Sequence, residues 1–220
     1  MGKNTVVFTK DTEQYRVRVR DIVFVERKKR TIRVCMADNS VLELYYTSLA
    51  RILQEAQNNR LQLCNRSVIV NHDFVSYVDP GNHYVTLRDQ RGTLELGWCF
   101  RERVMSHLAD LDNEFLLRID NIRYVIRVEE FLYAKSSDRT LRVHLRDGRE
   151  LRVSQKPVEY ILQQVKTDKL FRCARGVIVN SEYIVEIDRK HRKLRLANGK
   201  WLEMGSRYLN STLPGSLLDK

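Results

Sequence analysis

The sequence predicts a mainly β protein built from one module that occurs twice. Residues 22–88 align with residues 131–197 at a constant offset of 109 without a gap, and 18 of the 67 pairs are identical, against about four expected by chance. Apolar and polar residues alternate over much of both copies, and turn residues bound these stretches. We therefore expect two tandem domains, each of small antiparallel β-sheets with a short amphipathic helix.

The repeat sets the expected domains at residues 1–110 and 111–220. A chain of 220 residues with 43% apolar content can bury two cores of modest size. Between the copies only residues 109–113 lack a pattern, and they contain no Pro, Gly or Ser tract. This linker is too short for independent tumbling of the domains.

The strand predictions rest on strict alternation of apolar and polar residues. Arg16–Arg20 places three arginines on one face and two valines on the other, which predicts a half-buried strand. Leu141–Arg146 alternates in the same way and leads into a hairpin. Hairpin turns are expected at Asp38-Asn39, Asp147-Gly148, Asn198-Gly199 and, with one extra residue, Asp89 to Gly92.

Amphipathic helices are predicted at equivalent places in the two copies. Apolar residues at i, i+3, i+4 and i+7 are Leu49, Ile52, Leu53 and Ala56 in copy one and Val158, Ile161, Leu162 and Val165 in copy two. Thr47 or Ser48 is expected to cap the first helix, and Pro157 suits the first turn of the second. A further helix is expected from Phe100 to Leu108.

The chain is strongly basic, with a formal net charge of +11. The first 110 residues contribute +4 and the remainder +7. A basic surface attracts polyanions, because each neutralised phosphate releases condensed counterions. Charge alone fits a solvated surface equally well.

Other classes of protein are not expected. The longest apolar runs are about four residues, far short of the roughly 20 that span a bilayer, and the start has no signal-peptide core, so we expect a cytoplasmic protein. The four cysteines lack metal-ligand spacing and lie in strand patterns, which predicts reduced, packed thiols. Because no nucleophile–base pair, metal cluster or phosphate loop stands out, we expect no enzyme, cofactor or small-molecule substrate.

Two continuous apolar runs predict buried strands, and they are Val68–Val70 and Val177–Val179. The residue that ends each run, Asn71 or Asn180, is interpreted as structural, because asparagine can adopt a left-handed conformation or cap a turn. Arg66 and Arg175 stand just before the runs. An arginine directly before a buried strand is attached to a rigid backbone. It can therefore project its guanidinium toward a phosphate group or a guanine.

At these residues the chain resembles the LytTR family of bacterial DNA-binding domains. The family signature is an apolar strand, an amphipathic helix, a basic-Arg-Ser-apolar-x-Val-Asn segment and a closing Ser-Arg-aromatic. This composite pattern recurs in the same order in both copies, except that the closing Ser-Arg-aromatic is present only in copy two. The resemblance covers about residues 6–108 and 115–213. It implies elongated, mainly β domains that insert loops, rather than a recognition helix, into successive major grooves of double-stranded DNA.

The resemblance implies DNA contacts from three loops in each copy. The first comprises Lys28, Lys29, Arg30 and Thr31 in copy one and Ser137, Asp138, Arg139 and Thr140 in copy two. The second comprises Asn65, Arg66 and Ser67 in copy one and Ala174, Arg175 and Gly176 in copy two. The third is Ser206, Arg207 and Tyr208 in copy two, replaced by Trp98, Cys99 and Phe100 in copy one.

The copies therefore differ in their expected contacts. The third loop keeps its arginine only in copy two, so the first domain is partly degenerate, and Arg101 or Arg103 is the candidate substitute. Arg207 is the strongest candidate for reading a base, because a guanidinium can bond O6 and N7 of guanine together, which provides roughly 1–3 kcal/mol of discrimination. For the basic residues of the first loop, a solvated loop is as good an interpretation as phosphate contact.

The protein is expected to be a sequence-specific transcription regulator that binds two DNA half-sites with one polypeptide. A tandem duplication need not impose two-fold symmetry, so we expect directly repeated half-sites near whole helical turns of about 10 bp. No receiver domain with its phosphoacceptor Asp is recognisable ahead of the strand pattern that begins near Thr5. The resemblance then implies control through expression level or an inhibitory membrane or regulatory protein partner.

Another class of function remains open. The chain could be a protein interaction module or antagonist that docks on another regulator through Trp98, Cys99 and Phe100 of the degenerate first domain. RNA binding fits less well, because the sequence lacks the aromatic platform interleaved with glycine that stacks RNA bases.

Overall fold

The computed structural model describes residues 4–10, 13–109 and 113–208. In these ranges the chain is mainly strand, as predicted. Copy one contains β1 (Thr5–Lys10), β2 (Glu13–Arg18), β3 (Ile22–Lys28), β4 (Thr31–Met36), β5 (Val41–Leu44), α1 (Leu49–Ala56), β6 (Leu61–Asn65), β7 (Val68–Asn71), β8 (Val75–Asp79), β9 (Tyr84–Leu87), β10 (Thr93–Glu95) and α2 (Arg101–Ala109). Copy two contains β11 (Glu114–Ile119), β12 (Ile122–Arg127), β13 (Phe131–Ser137), β14 (Thr140–Leu145), β15 (Glu150–Ser154), α3 (Glu159–Leu162), β16 (Leu170–Ala174), β17 (Val177–Asn180), β18 (Ile184–Asp188), β19 (Lys193–Leu196) and β20 (Trp201–Glu203).

The structural repeat is longer than the stretch that aligns in sequence. β1 begins at Thr5 and β11 at Glu114, so the offset of 109 already holds for the opening hairpin. From β10 onward the offset is 108, because the turn at 89–92 contains one extra residue. Equivalent positions can therefore be compared throughout the described chain.

The chain divides into two compact units, residues 1–110 with 121–125 and residues 111–120 with 126–220. Residues 110–112 of the expected linker lie outside the described ranges. Unit 1 includes part of β12, in which Tyr124 lies opposite Tyr77 of β8. Nη2 of Arg88 donates to the carbonyl oxygen of Val125 at 3.0 Å. The alternation of apolar and polar residues could not predict this pairing, because it indicates that a strand forms but not with which other strand it pairs.

An antiparallel five-stranded sheet forms the centre of each unit. Its strand order is β5-β4-β3-β7-β6 in unit 1 and β15-β14-β13-β17-β16 in unit 2. The apolar runs that predicted buried strands are the inner strands β7 and β17, and Ile69 and Ile178 at their centres are 0% exposed. Glu26 of β3 lies opposite Val68 of β7, so the turn after β3 lies beside the turn before β7.

Asn71 and Asn180 fix the ends of these inner strands, which confirms their structural interpretation. Nδ2 of Asn180 donates to the carbonyl oxygens of Val128 (2.9 Å) and Phe131 (3.1 Å), and its Oδ1 accepts from the N–H of Glu182 (3.1 Å). Asn71 makes the equivalent three bonds in unit 1. Both asparagines have an extended backbone, so they cap the 3₁₀ turn that follows and do not adopt the left-handed conformation.

The helices agree with the predicted positions but not always with the predicted lengths. Ser48 caps α1, since its side chain accepts a hydrogen bond from the N–H of Arg51 (3.2 Å). α3 covers only Glu159–Leu162, so the predicted apolar position Val165 lies beyond it, although it is still buried. The Gln164 side chain instead accepts a tertiary hydrogen bond from the N–H of Leu116 (3.0 Å). The helix expected at 100–108 is α2.

Two local predictions are wrong. The alternating stretch Arg16–Arg20 is a strand only as far as Arg18, because Val19 enters a 3₁₀ segment and is buried there. All four cysteines are free thiols, and burial raises the pKa of Cys64 and Cys173 to about 12. Cys99, however, is exposed rather than packed, since it lies in the 3₁₀ turn Trp98–Phe100 and not in a strand.

Mild acid is expected to destabilise unit 2 through His144. The imidazole stacks on Tyr133 with ring centroids 4.2 Å apart, and burial lowers its pKa below the usual 6.5, while Glu150 partly opposes this shift. Because the unfolded chain takes up this proton at higher pH than the folded chain, the stabilisation is complete above about pH 6.5 and is lost as the pH falls toward the lowered pKa. The measurement is the free energy of unfolding in urea between about pH 7.5 and 5.5, a range above the carboxyl pKa values.

The control for this pH effect is His144→Phe, which keeps an aromatic ring against Tyr133 but cannot be protonated. We expect the variant to lose less stability than the wild type over the same pH range. Equal losses in both proteins would contradict the role of His144.

Candidate nucleic-acid interface

The first and second loops of each unit meet at one end of the central sheet. In unit 1 the N–H of Arg27, just before the first loop, donates to the carbonyl oxygen of Ser67 in the second (2.7 Å). In unit 2 the N–H of Ser136 donates to the carbonyl oxygen of Gly176 (2.8 Å). The same backbone bond therefore joins the two turns in both copies.

The third loop is tied to the same end of the sheet. The N–H of Gly97 donates to the carbonyl oxygen of Cys64 (2.7 Å), and the N–H of Gly205 donates to that of Cys173 (2.9 Å). These cysteines are the penultimate residues of β6 and β16, directly before the second loop. All three loops that the sequence singled out thus converge in each unit.

Glycine begins the third loop in both units for a steric reason. A Cβ atom at Gly205 would lie 2.9 Å from the ring of Tyr208, and one at Gly97 would lie 3.0 Å from the ring of Phe100. The aromatic ring closes over the glycine, and the N–H of the aromatic residue bonds the glycine carbonyl oxygen at 2.9 Å in both units. This glycine–aromatic pair was not predicted, although a glycine at matching positions of both copies was a visible signal in the sequence.

The first loop is exposed in both units, but its charge differs. Lys28, Lys29 and Arg30 in unit 1 are exposed, and Thr31 closes the turn by donating to the carbonyl oxygen of Lys28 (2.9 Å). In unit 2 the tip consists of the exposed residues Asp138 and Arg139, both with positive φ, followed by the half-buried Thr140. Unit 1 therefore has three exposed cations at this position, whereas unit 2 has one beside a carboxylate.

In the second loop the arginines and the asparagine have different environments. Arg66 and Arg175 are exposed, and neither guanidinium has a partner among the described residues. Asn65, by contrast, is occupied by its own loop: its Oδ1 accepts from the N–H of Ser67 (2.8 Å) and its Nδ2 donates to the carbonyl oxygen of Glu95 (2.7 Å). Asn65 thus holds the second loop against the strand that leads to the third.

The third loop presents different chemistry in the two units. Ser206 and Arg207 are exposed in a 3₁₀ turn, whereas unit 1 exposes Trp98 and Cys99. The Arg101 guanidinium carbon lies 4.8 Å from the centre of the Trp98 ring. Arg101, one of the two candidate substitutes for the missing arginine, therefore packs against this tryptophan at the start of α2.

Arg172 is a supporting residue that sequence reasoning missed. Its Nη1 forms an ion pair with Glu159 (2.5 Å), and its guanidinium lies 5.9 Å from the centre of the Tyr208 ring. It thereby links α3 to the third loop of unit 2. The equivalent residue of copy one is Leu63, so the repeat gave no signal for this role.

Within the described ranges, no group of His, Cys, Asp or Glu side chains could hold a metal ion. None of the helices there has the length and apolar character needed to cross a bilayer.

Comparison with known proteins gives a family match. The model of the LytTr DNA-binding domain matches residues 12–97 and 120–212. The matched ranges include the three loops of unit 2 and the first two loops of unit 1, and the first range ends at Gly97, directly before the third loop of unit 1. A solved LytTr DNA-binding domain from Bacillus cereus aligns with 74% of this chain and 97% of its own, at 12% sequence identity and a TM-score of 0.27. No curated protein matches the chain.

Proposed function

Since the chain belongs to the LytTR family of DNA-binding domains over both of its copies, we propose that it is a sequence-specific transcription regulator. Each unit inserts its three loops into the major groove of one of two half-sites on double-stranded DNA. The observation that carries this proposal is the joining of the same three loops by equivalent backbone hydrogen bonds in both units. Its site of action is then the cytoplasm, and we propose no catalytic role.

The roles of the loop residues follow from their chemistry. Arg66, Arg175 and Arg207 are the proposed readers of base edges, because their guanidinium groups are held on short, fixed turns. The proposed contacts to phosphate and neighbouring bases are Lys28, Lys29, Arg30, Thr31, Ser67, Arg139, Thr140 and Ser206, with Asn65 and Arg101 as supports of the loops. Phosphate contacts set the position on the duplex, and base contacts provide the specificity.

The arrangement of the half-sites follows from the duplication. Once one unit is bound, the other experiences a high effective concentration of its half-site, because both belong to one chain. Direct repeats are proposed, with centres separated by whole helical turns of about 10 bp. The test is selection of bound duplexes from a random pool, followed by footprinting. A palindromic site, or protection of only one half-site, would contradict the proposal.

The second candidate function is docking on a protein, and the observation that favours it is the 67% exposure of Trp98. In that case unit 1 would bind another regulator or an inhibitory partner through Trp98, Cys99 and Phe100. A mobility-shift assay of Arg66→Ala and Arg207→Ala separates the two functions. DNA binding should weaken in both variants, whereas docking on a protein should be unaffected by either.

A further inference from the structure

The third loop of unit 1 exposes a large apolar ring where unit 2 exposes Ser206 and Arg207. Trp98 has 67% of its surface accessible, although burial of such a ring usually contributes to the stability of a core. Its loop is joined to the second loop through Gly97 and Cys64 (2.7 Å). The ring therefore lies at the same end of the sheet as Arg66.

Two side chains contact this ring in the absence of a partner. Arg101 packs on it at 4.8 Å, and the ring of His83 has its centroid 5.6 Å away. The backbone below is closed by the hydrogen bond from the N–H of Phe100 to the carbonyl oxygen of Gly97 (2.9 Å). A preorganised side chain loses little conformational entropy on binding, so Trp98 is suited to make a direct contact.

The chemistry around the ring favours DNA over an apolar protein surface as its partner. Arg101 brings a positive charge directly against the indole, and the first and second loops add the exposed cations Lys28, Lys29, Arg30 and Arg66. A protein would have to bury or neutralise these charges, whereas phosphate groups on both sides of a groove would pair with them.

We propose that Trp98 reads thymine in the half-site of unit 1 through apolar contact with the C5 methyl group. This inference rests on the proposed DNA-binding function. In the major groove the thymine methyl is the apolar group that a side chain can recognise, while an arginine fork recognises guanine. The two units then read different half-sites, because Trp98 and Cys99 occupy the positions of Ser206 and Arg207.

The first experiment needs no change at the site. The chain contains two tryptophans, so in the variant Trp201→Phe all indole fluorescence comes from Trp98. Addition of the selected duplex should change the intensity or emission maximum of this fluorescence. The same duplex with deoxyuridine in place of thymine, which lacks only the methyl group, should bind roughly threefold to tenfold more weakly when the change lies under Trp98, because one buried methyl group is lost.

The second experiment combines the DNA change with Trp98→Ala. This variant should bind the selected duplex about tenfold more weakly and should no longer distinguish thymine from deoxyuridine. Trp201→Ala is the matched control, because Trp201 is also exposed (42%) and also packs against an arginine, Arg195 at 5.8 Å. It should change the affinity less than twofold and keep the sensitivity to deoxyuridine.

The outcomes separate this inference from the function on which it rests. Failure to recover any bound duplex would overturn both. Tight DNA binding with unchanged Trp98 fluorescence, or with no effect of deoxyuridine on the wild type, would overturn the role of Trp98 alone. Normal DNA affinity of Trp98→Ala would also overturn it and would return this residue to the protein-docking hypothesis.

Discussion

Replacement of Arg207 by alanine is expected to weaken binding to the selected duplex by about 5-fold to 150-fold. This range corresponds to the roughly 1–3 kcal/mol that one bidentate arginine–guanine contact contributes. Arg207 lies in a 3₁₀ turn whose backbone is bonded to β16 through Gly205 and Cys173 (2.9 Å). Because the backbone that carries Arg207 is held by this hydrogen bond, its guanidinium can reach a defined base pair. Fluorescence anisotropy with a labelled duplex provides the measurement.

The comparison between cognate and scrambled duplexes tests what Arg207 reads. A base contact is lost mainly on the cognate sequence, whereas a phosphate contact is lost equally on both. We therefore expect Arg207→Ala to reduce the ratio of the two affinities. A uniform loss on both duplexes would contradict base reading and would assign Arg207 to the backbone.

Arg149→Ala is the matched control for this variant. Arg149 is an exposed arginine of the same unit, with 47% of its side chain accessible, and it lies in the turn after β14, whereas the first loop lies before that strand. The variant removes the same charge from the far end of the strand. Its DNA affinity should stay within about twofold of the wild type, and a loss equal to that of Arg207→Ala would indicate a general effect of charge.

The parts of the fold that the sequence predicted are those set by neighbours along the chain. Alternation and turn residues are local signals, so the strands around Asp147-Gly148 and Asn198-Gly199 were found, and both glycines have the positive φ that such turns require. Because the module occurs twice, the same element could be predicted independently from each copy. The repeat also identified Asn71 and Asn180, because an asparagine at the end of both apolar runs is hard to explain without a structural role.

The parts that the sequence did not predict depend on contacts between distant residues. The pairing of Tyr124 with Tyr77 joins part of copy two to unit 1, and no local pattern encodes it. α3 ends early, and Gln164 bonds Leu116 instead, which is a tertiary preference that overrides helical spacing. At the candidate interface, the sequence named the loops but not their supports, since Asn65 and Arg172 act through partners that only the fold brings near.

Replacement of Asn180 by alanine is expected to lower the free energy of unfolding of unit 2 by about 3 kcal/mol or more. The side chain is 0% exposed, and its loss leaves the carbonyl oxygens of Val128 and Phe131 and the N–H of Glu182 without their partner. An unsatisfied buried polar group costs about 1–3 kcal/mol, and domains of this size have about 5–15 kcal/mol in total. Urea denaturation gives the measurement.

Asn198→Ala is the control that separates this effect from a general intolerance of asparagine loss. Asn198 also accepts a backbone hydrogen bond, from the N–H of Lys200 (3.1 Å), but it lies in an exposed turn where water can replace the side chain. Its loss should cost less than about 1 kcal/mol. A similar cost for both variants would contradict the anchoring role of Asn180. Since Asn71 makes the equivalent bonds, Asn71→Ala should destabilise unit 1 by a comparable amount, and the duplication thereby supplies an independent repetition of the experiment.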